Sequence, residues 1–82
     1  GMGTYFNLGM VYKDLKENKK ALKSFKKSIQ VNAALIEAYF QIAQIHLTMK
    51  NRDLALEFIN KAIEFSPNNL TYQESRNKIL NS

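Results

Sequence analysis

Few side chains in this 82-residue chain are suited to chemistry. There is a single histidine, His46, and no cysteine, which removes disulfides and thiolate metal sites. No acidic cluster stands near His46 to complete a ligand set, so it reads as a packed or partly exposed side chain. Glu57 and Glu64 fall on a polar helix face and read as solvation. There is no Gly-rich phosphate loop, and no nucleophile has a base at useful spacing. These residues give no catalytic, cofactor or metal site, and an enzyme is not expected. What remains is charge. Lys19, Lys20, Lys23, Lys26 and Lys27 crowd one short stretch, a basic face that suits an acidic protein partner, RNA or an anionic membrane surface. The net charge of +5 arises wholly in residues 1–35, where seven lysines oppose Asp14 and Glu17, whereas residues 36–82 cancel. The aromatic residue among those lysines, Phe25, belongs to the core stripe of its helix, so the basic face itself carries no aromatic, which counts against base stacking and makes nucleic acid the weaker reading.

The elements that position these residues follow from apolar spacing. Tyr5, Leu8, Gly9, Tyr12 and Leu15 recur at the three-and-four interval of one helix face, with a second apolar row at Phe6 and Met10. The first helix therefore has two surfaces to bury. Residues 16–19 break the pattern. Ala21, Leu22, Phe25, Ser28 and Ile29 restart it as a second, antiparallel helix that carries the lysines on its outward side. A third helix over about 35–49 uses Tyr39, Ile42, Ala43, His46 and Met49, with Phe40, Gln44 and Leu47 as its second row. The fourth uses Ala55, Leu56, Ile59, Ala62 and Ile63 and stops at Ser66 and Pro67, because proline cannot continue the ladder. Leu54 and Phe58 on this helix either face solvent or pack against a fifth helix. Asn68 and Asn69 can start that fifth helix over 70–80, with Thr71 and Glu74 as an alternative capping box. It offers Tyr72, Ile79 and Leu80 to the core. No apolar run is long enough to span a membrane and no signal peptide is visible, so a soluble, cytoplasmic chain is expected. Gly1 before Met2 reads as the remnant of a cleaved expression tag.

The pattern repeats. Shifting residues 39–67 back by 34 positions superposes Tyr39 on Tyr5, Phe40 on Phe6, Lys50 on Lys16, Ala55 on Ala21, Leu56 on Leu22, Lys61 on Lys27 and Ile63 on Ile29. A fixed period of this length marks stacked structural repeats. Each helix pair has apolar surface on two sides and buries both only by stacking on a neighbour.

On these residues the chain resembles the tetratricopeptide repeat, whose pattern is W-x2-L-G-x2-Y, then A-x3-F, then P. The first repeat supplies Tyr5, Leu8, Gly9, Tyr12, Ala21 and Phe25, with Ala33 where the proline belongs; the second supplies Tyr39, Ile42, Ala43, His46, Ala55, Ile59 and Pro67. The resemblance implies an all-α fold of five helices, a right-handed superhelical stack of antiparallel pairs. One domain is expected, with repeats at 2–35 and 36–69 and a capping helix at 70–82. It also implies a protein-interaction module or scaffold, which holds a peptide or partner helix in a groove lined by the first helix of each repeat. The groove positions are Gly3, Phe6, Asn7, Met10, Lys13, Glu37, Phe40, Gln41, Gln44 and Leu47. The alternative for the apolar members is that they widen the core between repeats. Family members that clamp the carboxylate of chaperone tails use lysine, asparagine and arginine where this chain has Phe6, Met10, Gln44, Thr71 and Ser75, so that clamp is absent. Two repeats are fewer than the three usually needed, and nothing shields the first helix. Homo-oligomerisation through that end, or membership of a longer array, is expected.

Overall fold

The computed structural model describes residues 2–82, and Gly1 lies outside the described residues. Among the described residues five helices follow one another: α1 (Met2–Asp14), α2 (Asn18–Val31), α3 (Ile36–Thr48), α4 (Arg52–Phe65) and α5 (Leu70–Leu80). Each packs chiefly on its neighbours in sequence, α1 on α2, α2 on α3, α3 on α4 and α4 on α5. The stack is therefore an all-α solenoid.

Two connected apolar clusters hold it together. Ala21, Leu22 and Phe25 of α2 meet Ile42 and Ile45 of α3 in one; Tyr39, Ala43, Ala55, Ile59, Ala62, Tyr72 and Ile79 make the other. Ile29 and Phe58 pack against both clusters and weld them into one core. Phe58 thus faces inward, its ring 6.4 Å from Tyr39 and 5.9 Å from His46, and does not need α5 for cover. Leu54 beside it is exposed. Close approach of α1 and α2 rests on Gly9, where an added Cβ would sit 2.7 Å from ring carbons of Phe25. Phe25 is fully buried and braced edge-on by Phe6 at 5.5 Å, so it has no room to yield.

The turn inside each repeat is built twice in the same way. Glu17 N–H reaches the Tyr12 carbonyl and Lys16 N–H reaches Lys13; Asn51 N–H reaches His46 and Lys50 N–H reaches Leu47. This pair of bonds closes a helix on a left-handed residue, normally glycine. Here the position is lysine both times, Lys16 at φ 61° and Lys50 at φ 67°.

The junction lacking proline is fixed by hydrogen bonds. Asn32 Oδ1 accepts from Ala34 N–H, Leu35 N–H reaches the Asn32 carbonyl, and the Tyr39 hydroxyl donates to the Ala33 carbonyl at 2.7 Å. Helix α5 is capped by Asn69, whose Oδ1 accepts from Tyr72 N–H at 3.0 Å, so the cap forms there and not as a box at Thr71 and Glu74. One sequence expectation fails here: Leu80 is 48% exposed, while Tyr72, Ser75 and Ile79 are the inward side chains of α5. Inward positions 72, 75 and 79 define the buried stripe, and Leu80 lies outside it.

Candidate functional site

The odd-numbered helices α1, α3 and α5 share a surface because α2 and α4 separate them only on the other side of the stack. A chain of hydrogen bonds runs across it. Lys13 Nζ of α1 donates to Gln41 Oε1 at 2.7 Å, Gln41 Nε2 donates to Glu37 Oε1 at 3.0 Å, and the Tyr72 hydroxyl of α5 donates to Glu37 Oε2 at 3.3 Å. Gln44 Nε2 adds a second α3–α5 link, to Ser75 Oγ at 3.1 Å. Every one of these bonds has at least one end on α3, so α3 is the spine of the surface. The Tyr72 phenol is held above its ordinary pKa first by burial, then by the Glu37 charge and hydrogen bond.

The candidate groove residues divide in two. Phe6 and Met10 lean on the cluster around Phe25, and Phe40 and Leu47 on the cluster around Ile59, each half-buried. Phe40 packs against Tyr72 with ring centroids 5.0 Å apart and planes tilted by 33°. These four both widen the core and show an edge to solvent. Gln41 is buried, Lys13 and Gln44 are half-buried, and Gly3, Asn7 and Glu37 are exposed. Beyond them an open cleft of about 440 Å³ runs from Leu47 past Lys50, Arg52 and Lys78. Another, of about 320 Å³, opens between the ends of α1 and α3, lined by Lys13, Lys16, Asn18, Gln44, Ile45 and Thr48. Sequence spacing assigned Tyr72 to the core alone. Its bond to Glu37 was invisible there, because it joins residues 35 positions apart.

The five candidate lysines of the basic face all lie exposed on α2. Their surroundings differ along the face. Lys20 Nζ stands 5.7 Å from the Tyr12 ring and Lys27 Nζ 5.4 Å from the Tyr5 ring, both on α1. The neighbouring helix thus sets two aromatic rings beside the basic face. Lys26 is on the far edge, close enough to His46 to depress its pKa. The only ion pair among the described residues joins Lys20 to Glu17 at 3.6 Å, with both side chains well exposed, so the basic character of α2 is largely uncompensated.

His46 fills the repeat's second tyrosine position and is 4% exposed. It stacks on Phe58, and its Nδ1 lies 3.5 Å from Asn51 Nδ2, while Nε2 is buried without a hydrogen-bond partner. Burial, more than the Lys26 charge, pushes its pKa below 6.5, opposed by Glu57. Among the described residues no three His, Cys, Asp or Glu side chains come together as a metal site. No described helix is long and apolar enough to cross a membrane.

Known proteins are similar to this chain in sequence or in fold. The chain is 38% identical over 63 residues to the BBSome complex member BBS4 of Mus musculus, covering 77% of this chain and 12% of that protein. It is 29% identical over 65 residues to a UDP-N-acetylglucosamine–peptide N-acetylglucosaminyltransferase of Giardia intestinalis, covering 79% of this chain and 4% of that enzyme. The chain thus spans a small fraction of the length of both. Among solved structures, MamA superposes with a TM-score of 0.92 at 22% identity over 96% of this chain and 46% of its own. The first TPR of Spaghetti, bound to the HSP90 peptide SRMEEVD, superposes with a TM-score of 0.92 at 18% identity over 99% of this chain and 64% of its own. At those identities the two structures speak to the fold. Tetratricopeptide repeat models match residues 4–33 and 36–69, well over half the chain. With the 34-residue period, the paired helices and these matches together, the chain belongs to the tetratricopeptide repeat family, a protein-interaction fold that is generally non-enzymatic.

Proposed function

We propose that this chain is a binding module that holds a peptide or partner helix along the shared surface of α1, α3 and α5. The observation that carries this reading is the hydrogen-bond chain Lys13–Gln41–Glu37–Tyr72, which fixes polar side chains of all three helices before any partner arrives. Preorganised donors and acceptors lower the ordering cost of binding. Around them the exposed edges of Phe6, Met10, Phe40 and Leu47 offer apolar contact, and Asn7 and Glu37 reach solvent. The cleft beside Lys13 and Lys16 has room for one polar or acidic side chain of a ligand.

Helix α5 acts in this reading as the cap of the second repeat. It buries Tyr72, Ser75 and Ile79 and turns Thr71, Glu74, Asn77 and Lys78 outward. The repeats divide at 35/36 and 69/70, where the chain turns between α2 and α3 and between α4 and α5.

The Spaghetti structure holds a peptide from HSP90, but a carboxylate-gripping site finds no support in these residues. Phe6 and Met10 lean into the core and Gln44 is engaged with Ser75, so no cation stands at those positions. An internal or helical segment of a partner suits the surface better than a chain end.

Selection of short peptides from a display library against the full chain tests the reading. Peptides that bind should lose about tenfold in affinity when Asn7→Arg and Glu37→Arg are combined, since charge placed against an interface weakens it by roughly that much. Leu54→Glu on α4 should leave them unaffected. Binding indifferent to the first pair and abolished by the second variant would place the site elsewhere.

A further inference from the structure

Tyr5, Leu8 and Tyr12 stand in the first repeat where Tyr39, Ile42 and His46 stand in the second, one period later. The second set is 8%, 0% and 4% exposed, whereas Tyr5 and Leu8 are 36% and 40% exposed and Tyr12 is half-buried. The cause is a neighbour. Helix α2 covers Ile42 and Tyr39, with Leu22 and Phe25 in the cluster of Ile42 and Ile29 on the cluster containing Tyr39, while Phe58 of α4 stacks on His46. No described helix covers the first set, and an open depression of about 290 Å³ lies over it, with Lys20, Lys23 and Lys27 along its margin.

We propose that this edge docks an acidic amphipathic helix of a partner protein, at a site separate from the shared surface of α1, α3 and α5. The shape of the occupant comes from the second repeat, where a helix presenting apolar residues at three-and-four spacing fills the equivalent place. Its charge comes from the margin. Three exposed lysines along one side of an apolar floor favour Asp and Glu on the flank of the incoming helix. A second copy is the poorer occupant. Two-fold pairing would set Lys20, Lys23 and Lys27 against the same lysines, and the other terminal helix, α5, carries Arg76 and Lys78 against Glu74 alone. RNA is also disfavoured, because Lys20 and Lys27 already lie over the two tyrosine rings and compete with a base for stacking there.

The test uses a synthetic peptide copying residues 18–33 with Lys19, Lys20, Lys23, Lys26 and Lys27 each replaced by glutamate, so that the apolar stripe of Leu22, Phe25 and Ile29 is kept. Titrated into the isotopically labelled full chain, it should shift the resonances of Tyr5, Leu8, Tyr12 and the Lys20–Lys27 stretch. Combining Lys20→Glu, Lys23→Glu and Lys27→Glu in the protein should weaken binding by about tenfold or more, as expected for three lost pairs turned repulsive. These side chains are exposed, and circular dichroism checks that the fold is kept. No shift at that edge, equal binding of the unaltered lysine peptide, or tighter binding of a uridine oligonucleotide would each overturn the proposal. So would sedimentation showing a dimer that Leu8→Glu dissociates, which would assign the edge to a second copy.

Discussion

The two repeats use nearly the same residues to opposite effect on their N-terminal sides. Tyr39 and Ile42 vanish into the core, while Tyr5 and Leu8, at the same register, stay in contact with water. Residue type is alike in the two places and the local helix is alike, so burial here is set by the neighbour and not by the residue. In a stacked fold the value of an apolar side chain depends on which end of the stack it occupies. The same asymmetry separates the charges: the uncovered repeat carries the whole basic excess, and three of its lysines, Lys20, Lys23 and Lys27, line the uncovered face.

The sharpest way to break this comparison is to truncate the same position in both repeats. Ile42→Ala should cost about 2–5 kcal/mol, the range for emptying a fully buried aliphatic site. Leu8→Ala should cost about 1 kcal/mol or less, because much of its surface is wet in the folded chain. Urea unfolding midpoints of the two variants measure the difference, and equal losses would show that the first repeat is covered after all.

A second difference concerns the small residue next to these positions. Gly9 is pressed by Phe25, whereas its counterpart Ala43 carries a Cβ without conflict inside the core. Gly9→Ala should therefore destabilise by about 1–3 kcal/mol through overpacking, despite the roughly 1 kcal/mol that alanine gains over glycine in a helix. A stabilised variant in thermal unfolding would mean that Phe25 moves aside freely.

Where the repeats agree, substitutions should agree as well. Lys16 and Lys50 both adopt the left-handed conformation that glycine takes without strain. Lys16→Gly and Lys50→Gly should each stabilise by about 1 kcal/mol, read from the same unfolding curves.

The smallest difference is one of pH. His46 has its folded pKa held below 6.5 by burial, so its contribution to stability is full above that value. As pH falls from there through the folded pKa, the unfolded chain takes up its proton first and stability is lost. The first repeat has Tyr12 in this place and no histidine. Melting temperatures at about pH 7.5 and 5.5 should fall more in the wild type than in His46→Leu; equal falls would assign the loss to other groups.

Much of the fold was legible because the 34-residue period recurs in side chains of matching size. Pro67, Asn69 and the paired alanines marked where helices stop, start and approach, and the structure has them there. Leu80 was misread because a run of apolar residues at a helix end does not tell which member joins the stripe. The site was less legible. The link from Lys13 through Gln41 and Glu37 to Tyr72 spans three helices, and no local spacing encodes it. The partnership of Tyr5 and Tyr12 with Lys27 and Lys20 was hidden for the same reason, since it depends on how α1 lies against α2.

The contrast between the repeats is tested most directly by the methyl groups of Leu8 and Ile42 in the presence of a soluble paramagnetic agent. The Leu8 methyls should broaden strongly and the Ile42 methyls should stay sharp. Equal protection of the two, in the chain without partner, would contradict an open first repeat.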